Sequence, residues 1–240
     1  MKIALIGYGK MGKTIHRIIT ETTSHEVCII ITNYNKNEFD IDLLKQADVA
    51  IEFTQPDQAL KNIGLCAELK IPIVVGTTGW LDQLLQATSC ISLHQSALLY
   101  ASNFSIGVNL LFHFNAYVQT VMQQYQNYRV LIEETHHLEK KDSPSGTAIT
   151  LADTIIRKNN RLDKWVNTND NLDKNLVILS HRKEDVNGLH TVVYESNDDY
   201  IRIEHEAKTR DGFAKGALLA AEWILTKKGI FTMSDVLKLN

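Results

Sequence analysis

The sequence predicts an α/β fold in two parts: a Rossmann-like dinucleotide-binding domain, and an α+β second domain with an open mixed sheet. Short unbroken apolar runs (KIALIG, EVCIIIT, DVAIEFT, IPIVVG) suit strands buried on both faces of a parallel sheet, and helical patterns fill two of the three gaps between them. The first run ends in GYGKMG, a glycine turn that opens a helix. After residue 106 the order changes to one long helical stretch and then strand-like runs with a hairpin signal, which is α+β grammar.

KIALIG starts the first domain, and residues 11–23 follow as a helix burying Met11, Ile15, Ile18 and Ile19. EVCIIIT and DVAIEFT are the second and third strands. Pro56 then sits in the first turn of a helix running to Leu69, where its missing N–H costs little. IPIVVGTTG is a fourth strand ending in a glycine turn, and LLYASNFS is a strand running into a polar loop. Residues 106–126 read as one helix, followed by the strand YRVLIEET, a polar loop, and a helix over 145–157. Residues 159–174 read as an exposed excursion anchored by Leu162, Trp165, Val166 and Leu172. LVILSHR, LHTVVYES and YIRIEHEA follow as strands, the last two joined by a turn at 197–199. A helix over 213–227 and a short SDVLKL helix close the chain.

The length of 240 residues is enough for two modest cores. A net charge of −3 without a basic, aromatic-interleaved run argues against a nucleic-acid partner. No window is apolar for long enough to span a membrane, and the N-terminus has no secretory pattern, so a cytoplasmic protein is expected. Cys28, Cys66 and Cys90 are widely spaced and read as reduced thiols.

In GYGKMG, Gly7 permits the tight turn, Gly9 lets the backbone approach a pyrophosphate, and Gly12 permits close helix–strand packing. The helix start then offers N–H groups to phosphate. The second strand ends in Thr32, Asn33 and Tyr34, with no carboxylate to hold a ribose or repel a 2′-phosphate. Lys10, Lys13 and Lys36 are cations that could attract one, so the choice between NADH and NADPH stays open. In such a domain Phe53 can stack on the nicotinamide half, and Gly76, Thr77 and Thr78 can hydrogen-bond to it.

The stretch EETHHLEKKDSPSGTA crowds titratable and turn-forming residues together. Read by itself it is a catalytic centre, a metal site or a polar surface loop. His136 and His137 follow a strand, so their side chains should diverge, which disfavours joint metal ligation. A metal set would need His136, His190 and His205 with Glu133 or Glu204, and no close-spaced ligand motif supports it; no metal is expected. Asp142 and Pro144 read as a helix start, Asp142 supplying the cap, with the N–H groups of Ser145, Gly146 and Thr147 free to bind an anion.

Together, GYGKMG, EFTQP, VVGTTGW, ASNFSIGVNL, EETHHLEKKDSPSGTA, GLHTVVYE and RDGFAKGALLAAEWI resemble the 4-hydroxy-tetrahydrodipicolinate (dihydrodipicolinate) reductase family of lysine and diaminopimelate synthesis. The resemblance spans nearly the whole chain. It implies NADH- or NADPH-dependent reduction of a cyclic imine dicarboxylate, with loss of water overall. It implies His136 as general acid/base, Lys140 as proton donor, and His137, Gly146 and Thr147 as substrate contacts. The cofactor-binding segments it implies are Gly7, Tyr8, Gly9, Lys10, Met11 and Gly12; Gly76, Thr77 and Thr78; and Ala101, Ser102, Asn103 and Phe104, to which the residue reading adds Asn33 and Phe53. Arg182, His190 and Arg210 would add positive charge. The resemblance also implies a homotetramer built through the second domain's sheet. It places 1–105 with 212–240 in the dinucleotide-binding domain and 106–211 in the substrate-binding domain. The chain departs from longer members by a short span between Thr32 and Glu52 and by lacking an acidic–basic pair after the second strand. The alternatives are another two-domain NAD(P)-dependent oxidoreductase and a non-catalytic dinucleotide sensor.

Overall fold

The computed structural model describes residues 1–32, 39–167 and 174–239. They form two compact units, Met1–Ile106 with the segment from Asp211 onward, and Gly107–Arg210.

The first unit is a six-stranded sheet: β1 (Lys2–Ile6), β2 (Glu26–Ile31), β3 (Val49–Glu52), β4 (Ile73–Val75), β5 (Ala97–Tyr100) and β11 (Gly229–Phe231), in the order β11-β5-β4-β3-β1-β2. Every neighbouring pair is parallel. Strand alternation divides the core. Ile3, Leu5, Val49, Ile51, Val74 and Leu99 join the layer with α1 (Lys10–Thr22), α7 (Asp211–Ile224) and α8 (Met233–Leu237). Ala4, Ile6, Ala50, Ile73, Val75 and Leu98 join the layer with α3 (Pro56–Glu68), α4 (Leu84–His94) and the buried Trp80. Both faces are covered, which is why these strands read as continuous apolar runs. Strand order reverses between β1 and β3, the switch point where such sheets open a crevice at their carboxyl ends.

Among the described elements, α2 (Ile41–Leu44), the 3₁₀ turn Leu81–Gln83, the α4 crossover, β7 (Lys164–Val166) and β11 were not legible as such. Two leucines of α4, Leu85 and Leu93, lie in solvent, and this blurs its helical pattern. The strand β7 lies inside the stretch expected to be an exposed excursion. It forms because Trp165 and Val166 pair with Leu176 and Val177.

The second unit is a five-stranded sheet ordered β10-β9-β6-β8-β7, made of β6 (Arg129–His136), β8 (Asn175–Arg182), β9 (Leu189–Glu195), β10 (Tyr200–Glu206) and β7. It is mixed, because β6 runs parallel to β8 and antiparallel to β9. α5 (Ile106–Met122) ends earlier than the expected residue 126, and α6 is Gly146–Lys158. Their apolar faces, Leu111 and Met122 with Ala148, Leu151 and Ile155, cover Val130, Ile132, Ile178, Val192 and Tyr194. Leu131, Val177 and Val193 lie at the alternate strand positions and cluster separately, with Val166 and Leu179 against them.

Candidate functional site

In the first unit the residues at the β1, β2 and β3 carboxyl ends surround a cavity of about 470 Å³, lined by Gly7, Tyr8, Gly9, Lys13, Thr32, Phe53, Thr54 and Gln55. That volume lies within the range of small-molecule sites. Gly7 sits at φ 96°, and a Cβ there would overlap the Phe53 carbonyl. A Cβ on Gly12 would overlap the Gly7 carbonyl, so the helix can approach the turn only without one. Nothing lies within 4 Å of the Cβ position of Gly9, the N-cap of α1, and the first turn of α1 carries no acidic residue. The donors at this helix start are therefore open to an anion, and the cradle suits a pyrophosphate.

Of the expected cofactor residues, Gly7, Tyr8, Gly9 and Phe53 line this cavity. The Tyr8 hydroxyl is bonded to His16 Nδ1 at 2.7 Å. Lys10 is exposed at the first position of α1, Met11 packs on the core, and Lys13 is the lysine that reaches the cavity. Asn33 and Lys36 lie outside the described residues. Gly76 lies beside the Phe53 ring, whose atoms a Cβ there would overlap. Thr77 is buried, its Oγ1 accepting the Thr54 N–H at 2.7 Å, whereas Thr78 is exposed. Ala101, Ser102 and Asn103 form the turn after β5, and Asn103 Oδ1 accepts from Ser105 N at 2.9 Å. Phe104 is core, with its ring 5.9 Å from that of Phe53. Glu52, at the end of β3, is fully buried, and burial pushes its carboxyl up despite hydrogen bonds from Thr54, Thr77 and Asn62.

In the second unit the titratable residues collect at the end of β6. Cross-strand register places Ser180 of β8, Glu134 of β6, His190 of β9 and His205 of β10 in one row. Strand alternation puts His136 on the face of Glu134, two residues on. Glu134 Oε1 accepts from Ser145 N at 2.9 Å and from Ser180 Oγ at 2.8 Å. Its Oε2 lies 3.6 Å from both His136 Nδ1 and His190 Nε2. The two imidazoles pack edge to face, with centroids 4.9 Å apart. Glu134, His136 and His190 are only 1%, 6% and 4% exposed, so their charges interact with little water between them.

Burial draws His136 below the ordinary imidazole range; the Lys140 and Arg182 charges add to this, and Glu134 opposes it. Burial, with the neighbouring His136, draws His190 down to about 3. Burial, the largest single influence on Glu134, would raise it, but the hydrogen bonds from Ser145 and Ser180 prevail and hold it low. The group at neutral pH is thus a carboxylate between two neutral imidazoles.

The expected helix cap is corrected. Ser145, not Asp142, is the N-cap of α6, its Oγ accepting from Ala148 N at 3.2 Å. The cis Ser143–Pro144 bond precedes it. Asp142 instead holds Lys140 Nζ at 2.8 Å, and this pairing keeps its carboxyl low against a raising effect of burial. The Ser145 N–H is likewise not free, because Glu134 takes it. Gly146 is exposed and Thr147 half-buried at the start of α6, and His137 is half-buried beside the buried His136. Arg182 braces the loop, donating to the carbonyls of Lys140 at 3.3 Å and Asp142 at 2.6 Å. Arg210 is exposed.

The metal set considered from the sequence is also corrected. The donors that converge are Glu134, His136 and His190, all within 4.8 Å, rather than a set with His205 and Glu133 or Glu204. Two imidazoles and a carboxylate are a usable donor set for a transition metal. Glu134 is the residue that sequence reasoning missed, although the two-residue spacing to His136 could have found it.

Known proteins point the same way as this geometry. The family description "Dihydrodipicolinate reductase, N-terminus" matches residues 1–104, and "Dihydrodipicolinate reductase, C-terminus" matches 107–237. The chain is 48% identical to the 4-hydroxy-tetrahydrodipicolinate reductase of Christiangramia forsetii, over 99% of this chain and 98% of that protein. It is 35% identical to the enzyme of the same name from Neisseria meningitidis serogroup C, over 84% and 77%. The fold is similar to that of the dipicolinate-bound dihydrodipicolinate reductase from Paenisporosarcina sp. TG-14, with TM-score 0.79, 21% identity and 97% of each chain covered. An amine dehydrogenase from Mycobacterium smegmatis shares the fold more loosely, with TM-score 0.57, 8% identity, and 96% of this chain and 94% of that one covered. Matched in order through both units, the chain belongs to the dihydrodipicolinate reductase family.

Proposed function

We infer that the chain reduces 4-hydroxy-tetrahydrodipicolinate in lysine and diaminopimelate synthesis, with NADH or NADPH as reductant. The observation that carries this reading is the 48% identity to a reductase of that name across nearly the full chain. Substrate, NAD(P)H and a proton give tetrahydrodipicolinate, water and NAD(P)+.

The dinucleotide, when bound, supplies a hydride to a ring carbon conjugated with the imine. The Gly7–Gly12 turn and the α1 start hold its pyrophosphate, with Lys13, Thr32 and Phe53 around it. Gly76, Thr77, Thr78 and the turn from Ala101 to Phe104 complete the cofactor-binding segments. The electron density that builds on the substrate is met by protons held on this chain. Lys140 is the proton donor and anchor, and His136 the general acid/base that relays protons. The open N–H groups of Gly146 and Thr147, with His137, hold a substrate carboxylate.

Residues 1–105 with 212–240 serve as the dinucleotide-binding domain and 106–211 as the substrate domain. We further propose a cytoplasmic homotetramer joined through the second sheet. The exposed Tyr200 and Ile201 of β10, an edge strand of that sheet, support this assembly. No described helix is long and apolar enough to cross a membrane.

The test is direct: freshly generated hydroxytetrahydrodipicolinate is mixed with the protein, and NADH and NADPH oxidation are followed with and without a chelator. Turnover with either dinucleotide, unchanged by chelation, is expected. No oxidation with either would overturn the reading, and loss of turnover on chelation would return Glu134, His136 and His190 to a metal role.

A further inference from the structure

We propose that Glu134 is the positioning residue of the proton relay: it fixes the tautomer of His136 and, through its other oxygen, the start of α6 that receives the substrate carboxylate. This rests on the reductase reading above and adds to it a residue that touches neither substrate nor cofactor.

The two carboxylate oxygens have different duties. Oε1 is occupied by the Ser145 N–H and the Ser180 hydroxyl. Oε2 has no hydrogen-bond partner and is buried, as is His136 Nδ1, and the two lie 3.6 Å apart. A neutral imidazole carries one N–H and one lone pair. Two lone pairs facing each other between buried atoms would repel, so the proton belongs on Nδ1, pointing at Oε2. The same reasoning places the His190 proton on Nε2, which lies 3.6 Å from Oε2 and 3.2 Å from Ser145 Oγ. A separation of 3.6 Å is beyond a formed hydrogen bond, and such contacts tighten in the working complex.

The lone pair of His136 is then left on Nε2, beside Gly188. A Cβ on Gly188 would meet that nitrogen at 3.4 Å, an ordinary van der Waals contact, which places Nε2 on the Gly188 side of the ring. Nε2 is therefore the nitrogen that takes up and returns a proton, and the imidazolium formed faces a carboxylate across its other side. A serine-protease aspartate acts on its histidine by the same logic. The remaining charged groups acting on His136 are Lys140 and Asp142 from the loop and Arg182 from β8; His205 of β10 acts on His190.

Because Oε1 holds Ser145, the N-cap of α6, one carboxylate sets both the relay and the anion cradle. Glutamine at position 134 would keep a carbonyl for Ser145 and Ser180, and would turn an amide N–H₂ toward His136. The cradle would survive and the tautomer would invert.

The imidazole ¹⁵N shifts of His136 read the tautomer on the protein alone, without substrate. In the wild type the proton is expected on Nδ1. In Glu134→Gln it is expected on Nε2, with kcat reduced by about 10²-fold, KM for substrate near wild type, and the His136 limb of the pH profile moved to lower pH. Glu134→Asp, which keeps the charge, is expected to keep the wild-type tautomer and to exceed Glu134→Gln in kcat. A wild-type His136 protonated on Nε2 would overturn the proposal. So would a Glu134→Gln protein with wild-type tautomer and pH profile. If Glu134→Gln does not fold, the wild-type tautomer decides alone. Absence of turnover with either dinucleotide would count against the reductase reading and leave the tautomer result standing by itself.

Discussion

His190 lies directly opposite Glu134 across the β6–β9 pair, and its Nε2 is 3.6 Å from the Glu134 carboxylate, yet the ring stays neutral well below the usual pH. Burial outweighs the attraction of one carboxylate because that carboxylate is already engaged by Ser145 and Ser180 and shared with His136.

A pH dependence of stability follows. The folded-state pKa of His190 is about 3, below the unfolded 6.5, so between those values the unfolded chain binds more protons. Stability is then complete above the unfolded value and falls as pH drops through the window, with a limiting slope of about 1.4 kcal/mol per pH unit for one group. Glu134, also held low, adds to the loss at the acid end. Thermal unfolding of the second unit at pH 7, 6 and 5 should show falling midpoints, and His190→Gln should flatten the trend. An unchanged slope in that variant would show that other groups carry it.

Lys140 lies in the loop beside His136, with its ammonium held by Asp142 at 2.8 Å. Lys140→Ala is expected to lower kcat by ~10²–10⁴-fold, the usual worth of a positioned acid. Dinucleotide affinity, measured by fluorescence titration, should persist. Intact turnover in this variant would remove Lys140 as the proton donor.

Gly12 packs against the turn proposed to receive a pyrophosphate. Gly12→Ala forces a methyl group onto the Gly7 carbonyl, so the turn or the helix must move, at a cost of about 1–3 kcal/mol. Weakened dinucleotide binding and a lower midpoint for the first unit are expected by titration and calorimetry. Wild-type affinity would mean that the turn is not the phosphate cradle.

Tyr200 and Ile201 are exposed on β10, at one edge of the second sheet. Ile201→Asp is expected to dissociate the proposed tetramer, because an unpaired carboxylate in an apolar contact is costly to bury. Light scattering after size exclusion checks this, and an unchanged mass would place the interface elsewhere.

Much of the fold was legible because β1 to β5 are largely apolar runs and most of the longer helices are apolar on one face. What escaped were elements formed by pairing or packing rather than by pattern. β7 and β11 are three residues each and exist through their neighbours β8 and β5. The two exposed leucines of α4 disguise its inward face.

At the site, the sequence by itself determined the turn chemistry: the glycines that let α1 approach β1, and the crowding of His136, His137 and Lys140 at one strand end and the loop after it. It did not determine how that loop is wired. Asp142 and Ser145 both have capping side chains, and only the folded chain decides that Ser145 caps α6 while Asp142 pairs with Lys140. Nor does sequence separation reveal that His190, on another strand, stands opposite Glu134. Local sequence carries backbone geometry because turns and caps are short-range. The protonation and pairing of buried groups are set by strand register and exclusion of water, which exist only once the sheet has formed.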